Sequence, residues 1–337
     1  MKSILYPFLI AALLLFSNNL SAQKLIAPAN LQKGDTVIIL APAGIMKDTI
    51  AVNQAIELLN DWGLNTKLGK HVFTQNFHFA GTDKERLTDF QNAIDDDNIK
   101  AIWCARGGYG TVRIIDDIDF TRFKENPKWV IGFSDITVLH NEINNLGIQT
   151  MHAIMPITYK PDNKEQKKAR KSFKKALFGK RVKYKISNSD YNREGEAVGQ
   201  VVGGNLSLVV SMLGSKTQIN MKGKILFLEE VGEALYHIDR MIISLKRAGY
   251  FENCKGLIIG AFSSIKPNST DFGMTYQEII LDAVKEYDFP VSFDFPAGHV
   301  RDNRTLLLGN EIILKVKEKK TIVKFNPIPS PSQREGN

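Results

Sequence analysis

The feature that most constrains the fold is an alternation of short apolar runs with amphipathic segments between residues 33 and 147. Thr36 to Leu40 and Ile99 to Cys104 are apolar runs of strand length, whereas Val52 to Trp62 and Lys84 to Asp95 carry apolar residues at helical spacing. Strands that alternate with helices in this way form a parallel sheet flanked by helices, with functional groups at the carboxyl ends of the strands. The sequence therefore predicts an α/β N-terminal domain of this kind.

The second half of the chain predicts a mixed α/β C-terminal domain. Its strand-like segments are Ala197 to Val202, Ile225 to Leu228, Leu257 to Ala261 and Thr305 to Val316. Its helix-like segments are Leu206 to Leu213, His237 to Ala248 and Tyr276 to Glu286. We therefore divide the chain into an N-terminal α/β domain (residues 23–160), a basic linker (161–190) and a C-terminal domain (191–326). The tail at 327–337, rich in Pro and Ser, is expected to be disordered.

The N-terminus has the pattern of a secretory signal peptide in residues 1–22. Lys2 precedes the apolar run Ile4 to Phe16, and small residues follow as far as Ala22. We expect cleavage after Ala22 and a protein that is periplasmic or otherwise exported and has no stable membrane insertion once the signal is removed. An uncleaved anchor is the alternative, but the apolar run is short for a membrane span.

The formal net charge of +8 raises the question of a nucleic-acid partner. Much of the excess lies between Lys160 and Lys185, where cations surround Phe173 and Leu177 at the spacing of an amphipathic helix. A solvated helix face explains this pattern better than a nucleic-acid site, so no nucleic-acid partner is expected. For an exported protein, the more relevant partner is an anionic polymer of the cell envelope, attracted by long-range charge.

Ser134 lies where an α/β sheet exposes a nucleophile. Trp129 to Gly132 is typical of a buried strand, and apolar residues between Ile136 and Leu146 recur at helical spacing. The tight turn between strand and helix exposes the Ser134 hydroxyl and points the following backbone N–H groups toward developing negative charge. The alternative is that Ser134 or Asp135 only caps the helix.

Two further segments supply a carboxylate and an imidazole. One strand-like run ends in Glu229 and Glu230, and two carboxylates at the mouth of a buried strand are costly unless they are used; alternatively, one of them is a solvated strand end. His299 follows a short segment of small residues, and its alternative is an inert loop histidine. The three groups fit one set of roles: Ser134 attacks a carbonyl, His299 transfers the proton, and Glu229 orients and stabilises the imidazole.

The glycine-rich loop from Arg106 to Gly110 is the second region of interest. Its spacing matches neither a P-loop nor a dinucleotide fingerprint, so nucleotide binding is not expected. Glycines allow a backbone N–H to approach a substrate carbonyl closely. We therefore assign the loop, with Gly107 and Gly108, to an oxyanion and substrate-docking site. Arg106 is expected to be an internal organiser or a partner for a carboxylate.

The histidines and cysteines do not have the spacing of a metal or redox site. Six histidines and two cysteines are present, with no CxxC, HExxH or clustered His/Cys pattern. We therefore predict no metal and no cofactor. Cys104 and Cys254 cannot form a disulfide scaffold.

These segments resemble those of the LD-carboxypeptidase family, serine peptidases that include muramoyltetrapeptide carboxypeptidases and microcin C self-immunity proteins. The resemblance covers nearly all of the chain between Lys33 and Gly309, and its markers are Phe79-Ala80-Gly81-Thr82-Asp83 with Arg86, Ala105 to Gly110, Gly132-Phe133-Ser134-Asp135, Gly203-Gly204-Asn205-Leu206, Leu228-Glu229-Glu230 and Gly298-His299. One marker alone carries little information, but their number and order make the set specific. The resemblance places the nucleophile on Ser134, the triad glutamate on Glu229 and the histidine on His299.

The resemblance also implies a site architecture and a substrate. It implies an oxyanion hole made by the N–H groups of Asp135 and Gly108. It implies a two-domain α/β protein, usually a homodimer, with the triad assembled between the domains. The implied substrate is a murein (peptidoglycan) tetrapeptide, cut between the L-centre of its diamino acid and the terminal D-alanine.

Two features depart from the family pattern. The segment His152 to Pro156 stands where the family commonly has His-Gly-Pro, near the substrate, which leaves the exact specificity open. The signal peptide is the second departure, because the better-known members of the family act in the cytoplasm. Two alternatives to murein hydrolysis remain: the same triad acting on a peptidyl-nucleotide or another amide, and a non-catalytic murein-fragment-binding protein, which would tolerate Ser134→Ala.

Overall fold

The computed structural model describes residues 26–327. The expected signal peptide (1–22), its cleavage site after Ala22 and all but the first residue of the expected tail (327–337) lie outside these residues. None of the helices in residues 26–327 combines the length and the apolar character needed to cross a membrane.

Strands and helices alternate along much of this region. The strands in chain order are β1 (Thr36–Leu40), β2 (Asn65–Leu68), β3 (Ile99–Cys104), β4 (Trp129–Gly132), β5 (Thr150–His152), β6 (Lys183–Ser187), β7 (Gly195–Asn205), β8 (Lys224–Val231), β9 (Cys254–Ser263), β10 (Val291–Ser292), β11 (Leu306–Leu308), β12 (Glu311–Lys317) and β13 (Lys320–Phe325). The α-helices are α1 (Ile50–Asp61), α2 (Asp83–Asp95), α3 (Thr121–Glu125), α4 (Thr137–Asn145), α5 (Lys167–Leu177), α6 (Leu206–Ser211), α7 (Leu235–Arg247) and α8 (Tyr276–Ala283).

The first sheet has the strand order β2-β1-β3-β4-β5, all parallel, with β11 added antiparallel to β5. The prediction of a parallel sheet flanked by helices is confirmed. The order reverses between β1 and β3, and the carboxyl ends of strands at such a reversal open a crevice for ligands. The glycine-rich loop follows β3 and therefore lies at this crevice.

The second sheet has the order β10-β9-β8-β7-β12-β13-β6. Strands β7 to β10 are parallel, and β12, β13 and β6 continue the sheet in antiparallel pairs. The prediction of a mixed α/β C-terminal half is therefore confirmed.

Residues 161–190, which we expected to be a basic linker, contain α5 and β6. The buried face of α5 includes Phe173, whose ring centroid lies 5.5 Å from that of Trp62 and 5.2 Å from that of Trp103. Tyr184 on β6 donates a hydrogen bond of 2.6 Å from its hydroxyl to the Thr305 carbonyl. This segment therefore packs against both halves of the molecule.

The structure divides one expected strand into two. The sequence predicted a single strand from Thr305 to Val316, but the chain turns at Gly309, whose φ is +80°, and this prediction is wrong. Strand β11 completes the first sheet, and β12 enters the second. Gly309 N donates to the Val201 carbonyl at 2.7 Å, so the crossing point is itself bonded to β7. Buried apolar residues recur on both sides of Gly309, and this hid the change of sheet.

Buried apolar side chains lie between the two sheets and on their outer faces. The cluster between the sheets includes Trp103 of the first sheet, Phe227 of the second and Phe173 of α5. Phe90 of α2 belongs to a cluster on the other face of the first sheet, and Ile242 of α7 to one on the second sheet. The shared cluster fixes the two sheets relative to each other, because its side chains can only be buried together.

Strand β7 of the second sheet contacts the start of α4, the helix that follows β4 of the first sheet. Asn205 N donates to Thr137 Oγ1 at 3.0 Å, and both residues are buried. A Cβ on Gly204 would lie 2.4 Å from Thr137 Oγ1, and the φ of Gly204 is +144°, where residues other than glycine are strained. Gly204 therefore allows β7 to lie directly against the helix that follows Ser134.

We predict that Gly204→Ala destabilises the protein far more than Gly214→Ala. Gly214 also has a positive φ, +78°, but its Cβ would meet nothing within 4 Å. Strain and overpacking together should lower the free energy of unfolding of Gly204→Ala by roughly 2–6 kcal/mol. Strain alone should cost Gly214→Ala about 1–2 kcal/mol. Urea denaturation measures both, and equal losses would contradict the close approach of β7 and α4.

Candidate active site

Ser134 occupies a strained turn between β4 and α4. Its φ is +65°, in the left-handed region that non-glycine residues rarely adopt. A Cβ on Gly132 would lie 2.8 Å from the Ile136 side chain, so a glycine is needed where the chain folds back on itself. The N-cap residue of α4 is Ile136, whose side chain makes no capping hydrogen bond, so the capping alternative for Ser134 and Asp135 does not describe this helix. The turn instead presents the half-buried Ser134 hydroxyl at the end of β4.

The structure brings Ser134, His299 and Glu229 into one hydrogen-bonded chain. His299 Nε2 lies 3.1 Å from Ser134 Oγ, and His299 Nδ1 lies 2.7 Å from Glu229 Oε2. Ser134 comes from the first sheet, Glu229 from β8 of the second, and His299 from the segment between β10 and β11. This is the arrangement in which an imidazole can take a proton from a hydroxyl while a carboxylate holds its other nitrogen.

Glu229 is fully buried, and two glycines make room for it. A Cβ on Gly298 would lie 2.7 Å from Glu229 Oε2, and a Cβ on Gly260 would lie 3.3 Å from the Glu229 Cβ. Glu229 Oε2 also accepts a hydrogen bond of 3.2 Å from His299 N. The carboxylate therefore binds both the ring and the backbone of His299, and this fixes the orientation of the ring.

The electrostatics of the site favour the charged form of His299. Burial lowers the pKa of His299, but the hydrogen bond and the charge of Glu229, helped by the charge of Glu230, outweigh burial and raise this pKa above its ordinary value of 6.5. The Phe133 ring lies edge-on to the imidazole, with a centroid distance of 4.9 Å. The ring that would receive the proton is thus held in place and stabilised as a cation.

Glu230 has a separate, structural environment. It is buried, which contradicts the alternative that one of the two carboxylates is a solvated strand end. Its oxygens accept hydrogen bonds from Asn205 Nδ2, from the backbone and hydroxyl of Ser207, and from Val231 N. Burial raises the pKa of Glu230, although these hydrogen bonds oppose the shift. Glu230 therefore ties β8 to the start of α6.

The glycine-rich loop lies directly against the Ser134 turn. A Cβ on Gly107 would lie 3.2 Å from both Ser134 Oγ and Asp135 N, so the absence of a side chain there leaves both atoms accessible. Gly44 N donates to the Gly107 carbonyl at 3.0 Å and fixes the loop across the crevice between β1 and β3. Gly108 is exposed and has a φ of +106°.

Arg106 is an internal organiser of this loop. Its Nη1 donates to the Ile45 carbonyl at 2.8 Å, and its Nε lies 3.2 Å from the position of a Cβ on Gly44. The side chain therefore holds the loop after β3 to the loop after β1. In the described part of the chain, Arg106 makes no ion pair with a carboxylate.

The side chain of Asp135 points away from the Ser134 hydroxyl. Its Oδ2 accepts hydrogen bonds of 2.9 Å from Thr111 N and from Thr111 Oγ1, and the Asp135 carbonyl accepts a third from Thr111 Oγ1. Burial raises the pKa of Asp135, and the Thr111 bonds oppose this shift. Asp135 thus fixes the end of the glycine loop to the Ser134 turn and leaves its backbone N–H on the side of Gly107.

A second pair, Asn303 and His152, supports the segment that carries His299 and was not evident from the sequence. Asn303 Oδ1 accepts a hydrogen bond of 3.0 Å from Gly298 N and lies 3.2 Å from His152 Nε2. Since this oxygen only accepts, His152 must carry its proton on Nε2. Burial lowers the pKa of His152 well below 6.5, so the ring is neutral. An asparagine four residues after a histidine is too common to be recognised as a functional signal.

His152 begins the segment in which we expect this chain to depart from the family pattern, and it forms part of the floor of the site. Its ring centroid lies 5.6 Å from that of Phe133 and 5.0 Å from that of Phe227. The following residues, from Ala153 to Pro156, are buried. In residues 26–327, no group of three or more His, Cys, Asp or Glu side chains is close enough together to hold a metal ion.

The comparisons with known proteins identify the family. Sequence models described as the LD-carboxypeptidase N-terminal domain and the LD-carboxypeptidase C-terminal domain match residues 37–153 and 198–314. The probable murein peptide carboxypeptidase of Bacillus subtilis is 34% identical over 299 residues, which cover 88% of this chain and 93% of that protein. The murein tetrapeptide carboxypeptidase of Pseudomonas aeruginosa is 26% identical, covering 83% of this chain and 92% of that protein.

Solved structures agree with this result. The muramoyltetrapeptide carboxypeptidase from Oxalobacter formigenes superposes with a TM-score of 0.80 at 26% identity, covering 88% of this chain and 100% of that chain. The microcin C7 self immunity protein MccF, in complex with aspartyl sulfamoyl adenosine, has a TM-score of 0.80 at 22% identity, covering 90% and 100%, and shares the fold. The chain belongs to the LD-carboxypeptidase family and is a peptidase.

We predict that Glu229→Gln lowers the pKa of His299. The amide removes the Glu229 charge, so that burial, which lowers this pKa, outweighs the smaller effect of the remaining Glu230 charge. NMR titration of the imidazole C–H resonances should give a His299 pKa above 6.5 in the parent and below 6.5 in the variant. His140, whose pKa burial lowers to about 4, serves as the internal control and should not change. An unchanged or higher His299 pKa in the variant would refute this account of the site.

Proposed function

We propose that the protein is a serine-type L,D-carboxypeptidase that removes the terminal D-alanine from peptidoglycan tetrapeptides. The observation that carries the proposal is the hydrogen-bonded chain from Ser134 through His299 to the buried Glu229. The names of the relatives favour murein peptides as the substrate class. The chain of three groups supplies the nucleophile, the base and the orienting carboxylate that acyl transfer requires.

The reaction proceeds through an acyl-enzyme. Ser134 Oγ attacks the carbonyl of the diamino acid while His299 Nε2 takes the hydroxyl proton. The bond to the D-alanine nitrogen then breaks, and His299 returns the proton to the leaving amine. A water molecule, deprotonated by His299, releases the shortened peptide and regenerates Ser134. Glu229 stabilises the imidazolium in both steps, consistent with the raised pKa of His299.

The oxyanion formed in each step is proposed to bind to the N–H groups of Asp135 and Gly108. The space that Gly107 leaves in front of Asp135 N and Ser134 Oγ supports this assignment. The hydrogen bonds that hold Asp135 and Arg106 fix the two loops without using the groups that face the substrate. Backbone donors held in this way need no reorganisation when charge develops. We also propose that Arg106 and Gly107 shape the substrate-docking side of the loop.

We also propose a location, a domain division and an assembly for the enzyme. The sequence pattern of residues 1–22 supports export, so that the enzyme would meet its murein substrate in the periplasm. The two family matches fall inside the domains that we propose at 23–160 and 191–326. The homodimer that the family resemblance implies remains our proposal for the assembly.

The second candidate keeps the same three residues and changes the substrate to a peptidyl-nucleotide or a similar amide. The structural likeness to MccF suggests it, but at 22% identity that likeness concerns the fold alone. The buried segment from His152 to Pro156 is where the specificity of this chain should differ from its relatives.

We predict that the protein releases D-alanine from L-Ala-γ-D-Glu-meso-diaminopimelyl-D-Ala without added metal, and that Ser134→Ala does not. Loss of the nucleophile should lower kcat by on the order of 10⁴–10⁶. Mass spectrometry of the reaction mixture follows both peptides. Ser211→Ala is the matched control, because Ser211 is exposed on α6 and its hydroxyl donates to the Leu208 carbonyl of the same helix.

Each other outcome has a distinct meaning. Binding of the tetrapeptide without cleavage by either protein would support the murein-binding alternative. Cleavage of an aminoacyl sulfamoyl adenosine in its place would support the second candidate. Equal cleavage by the parent and by Ser134→Ala would show that Ser134 is not the nucleophile.

A further inference from the structure

A surface formed by α5, β6 and β13 concentrates positive charge that the peptidase site does not use. Helix α5 has 11 residues, six of which are cations and none of which is acidic: Lys167, Lys168, Arg170, Lys171, Lys174 and Lys175. The predicted amphipathic helix is confirmed, since its apolar residues are buried and its lysines are exposed. We call this region, together with the outward lysines of β6 and β13, the basic surface.

Three lysines of α5 and one of β6 face a common cavity. Lys168, Lys171 and Lys175 lie on one side of the helix, and with Lys183 they line a cavity of about 160 Å³. Arg304 also lines the cavity, but it is paired with Asp302 at 2.7 Å. The volume corresponds to roughly five water molecules at 30 Å³ each, enough for one tetrahedral anion with water around it.

The positive charge continues along the edge of the second sheet. Lys183 lies directly opposite Lys324 on β13, and Ser187 opposite Lys320. Lys185 is exposed on the same side of β6, because Tyr184 and Ile186 between these lysines are buried. A row of lysines therefore leads from the cavity along the outer face of two adjacent strands.

This arrangement costs folding energy. Like charges at i and i+4 on a helix, as at Lys167, Lys171 and Lys175, destabilise it by about 0.2–0.5 kcal/mol per pair. Like charges directly opposite on paired strands, as at Lys183 and Lys324, are also unfavourable. Within residues 26–327, none of the four cavity lysines forms an ion pair with an acidic side chain. No ion pair within these residues therefore offsets the repulsion among the four cavity lysines, whereas an anionic ligand would offset it.

We propose that the basic surface binds a flexible phosphate-bearing polymer, with one phosphate in the cavity and its neighbours along the lysines of β6 and β13. Lysine ammonium groups are point charges, suited to a chain of phosphates rather than to one bidentate group. Single-stranded nucleic acids need exposed aromatic rings for base stacking, and membrane surfaces favour apolar side chains that insert. Among residues 26–327, α5, β6 and β13 contribute no large exposed apolar or aromatic side chain. These observations favour a phosphodiester polymer that carries no bases over both a nucleic acid and a lipid surface.

The test compares two quadruple variants of the full chain with the same change in net charge. The first replaces Lys168, Lys171, Lys175 and Lys183 with Gln. The control replaces four exposed lysines elsewhere, Lys33, Lys216, Lys222 and Lys255, with Gln. A fluorescent poly(glycerol phosphate) oligomer is titrated with each protein at several NaCl concentrations, and anisotropy gives the affinity.

The first variant should bind the polymer at least about tenfold more weakly than the parent. The slope of its plot of log K against log salt should be shallower by roughly 3, because four phosphate contacts are lost and each contributes about 0.7 to the slope. The control should stay within about threefold of the parent. A third variant with Arg at the four cavity positions keeps the charge and should keep the affinity. Thermal denaturation checks that each variant is folded. Because the readout is binding, the result does not depend on peptidase activity.

Three results would overturn the proposal. Equal losses in the first variant and in the control would show that net charge alone attracts the polymer. Tighter binding of a single-stranded DNA with the same number of charges, through the same four lysines, would identify a nucleic-acid surface. Tighter binding to vesicles containing phosphatidylglycerol would identify a membrane surface.

Discussion

The hydrogen bond between His299 and the buried carboxylate of Glu229 is the interaction on which the site depends. A charged carboxylate with no exposed surface is costly unless it is paired, and both the Nδ1 and the backbone N of His299 lie within 3.2 Å of Glu229 Oε2. This pairing holds the segment after β10 against the end of β8. It also orients Nε2 of the ring toward Ser134, which the other sheet supplies.

Close approach of the segments that build the site is possible because glycines stand where these segments meet. Gly204 lies against Thr137 at the start of α4, Gly298 lies against Glu229, and Gly107 lies against the Ser134 turn. At each position a Cβ would lie within 3.2 Å of an atom of the facing segment. The core shared between the sheets then keeps these contacts fixed, so the geometry of the site is a consequence of how the whole chain packs.

The sequence was sufficient to predict the fold class and to single out Ser134, Glu229 and His299, because each follows a recognisable apolar run or a small-residue segment. It could not show that the three side chains meet, since that depends on how two sheets pack across residues far apart in the chain. The structural role of Glu230 was hidden for the same reason: its partners Asn205 and Ser207 reach it from the end of β7 and the start of α6. The division of one apolar run into β11 and β12 was missed, because buried apolar residues recur on both sides of Gly309.

Covalent labelling of Ser134 by a fluorophosphonate tests the central claim most directly. If His299 and Glu229 activate Ser134, peptide mapping should find one adduct on Ser134, and the rate should rise with pH through a midpoint above 6.5, as His299 loses its proton. His299→Ala should abolish labelling in protein that remains folded. An adduct on another residue, or labelling of Ser134 that is indifferent to both pH and His299, would contradict the account.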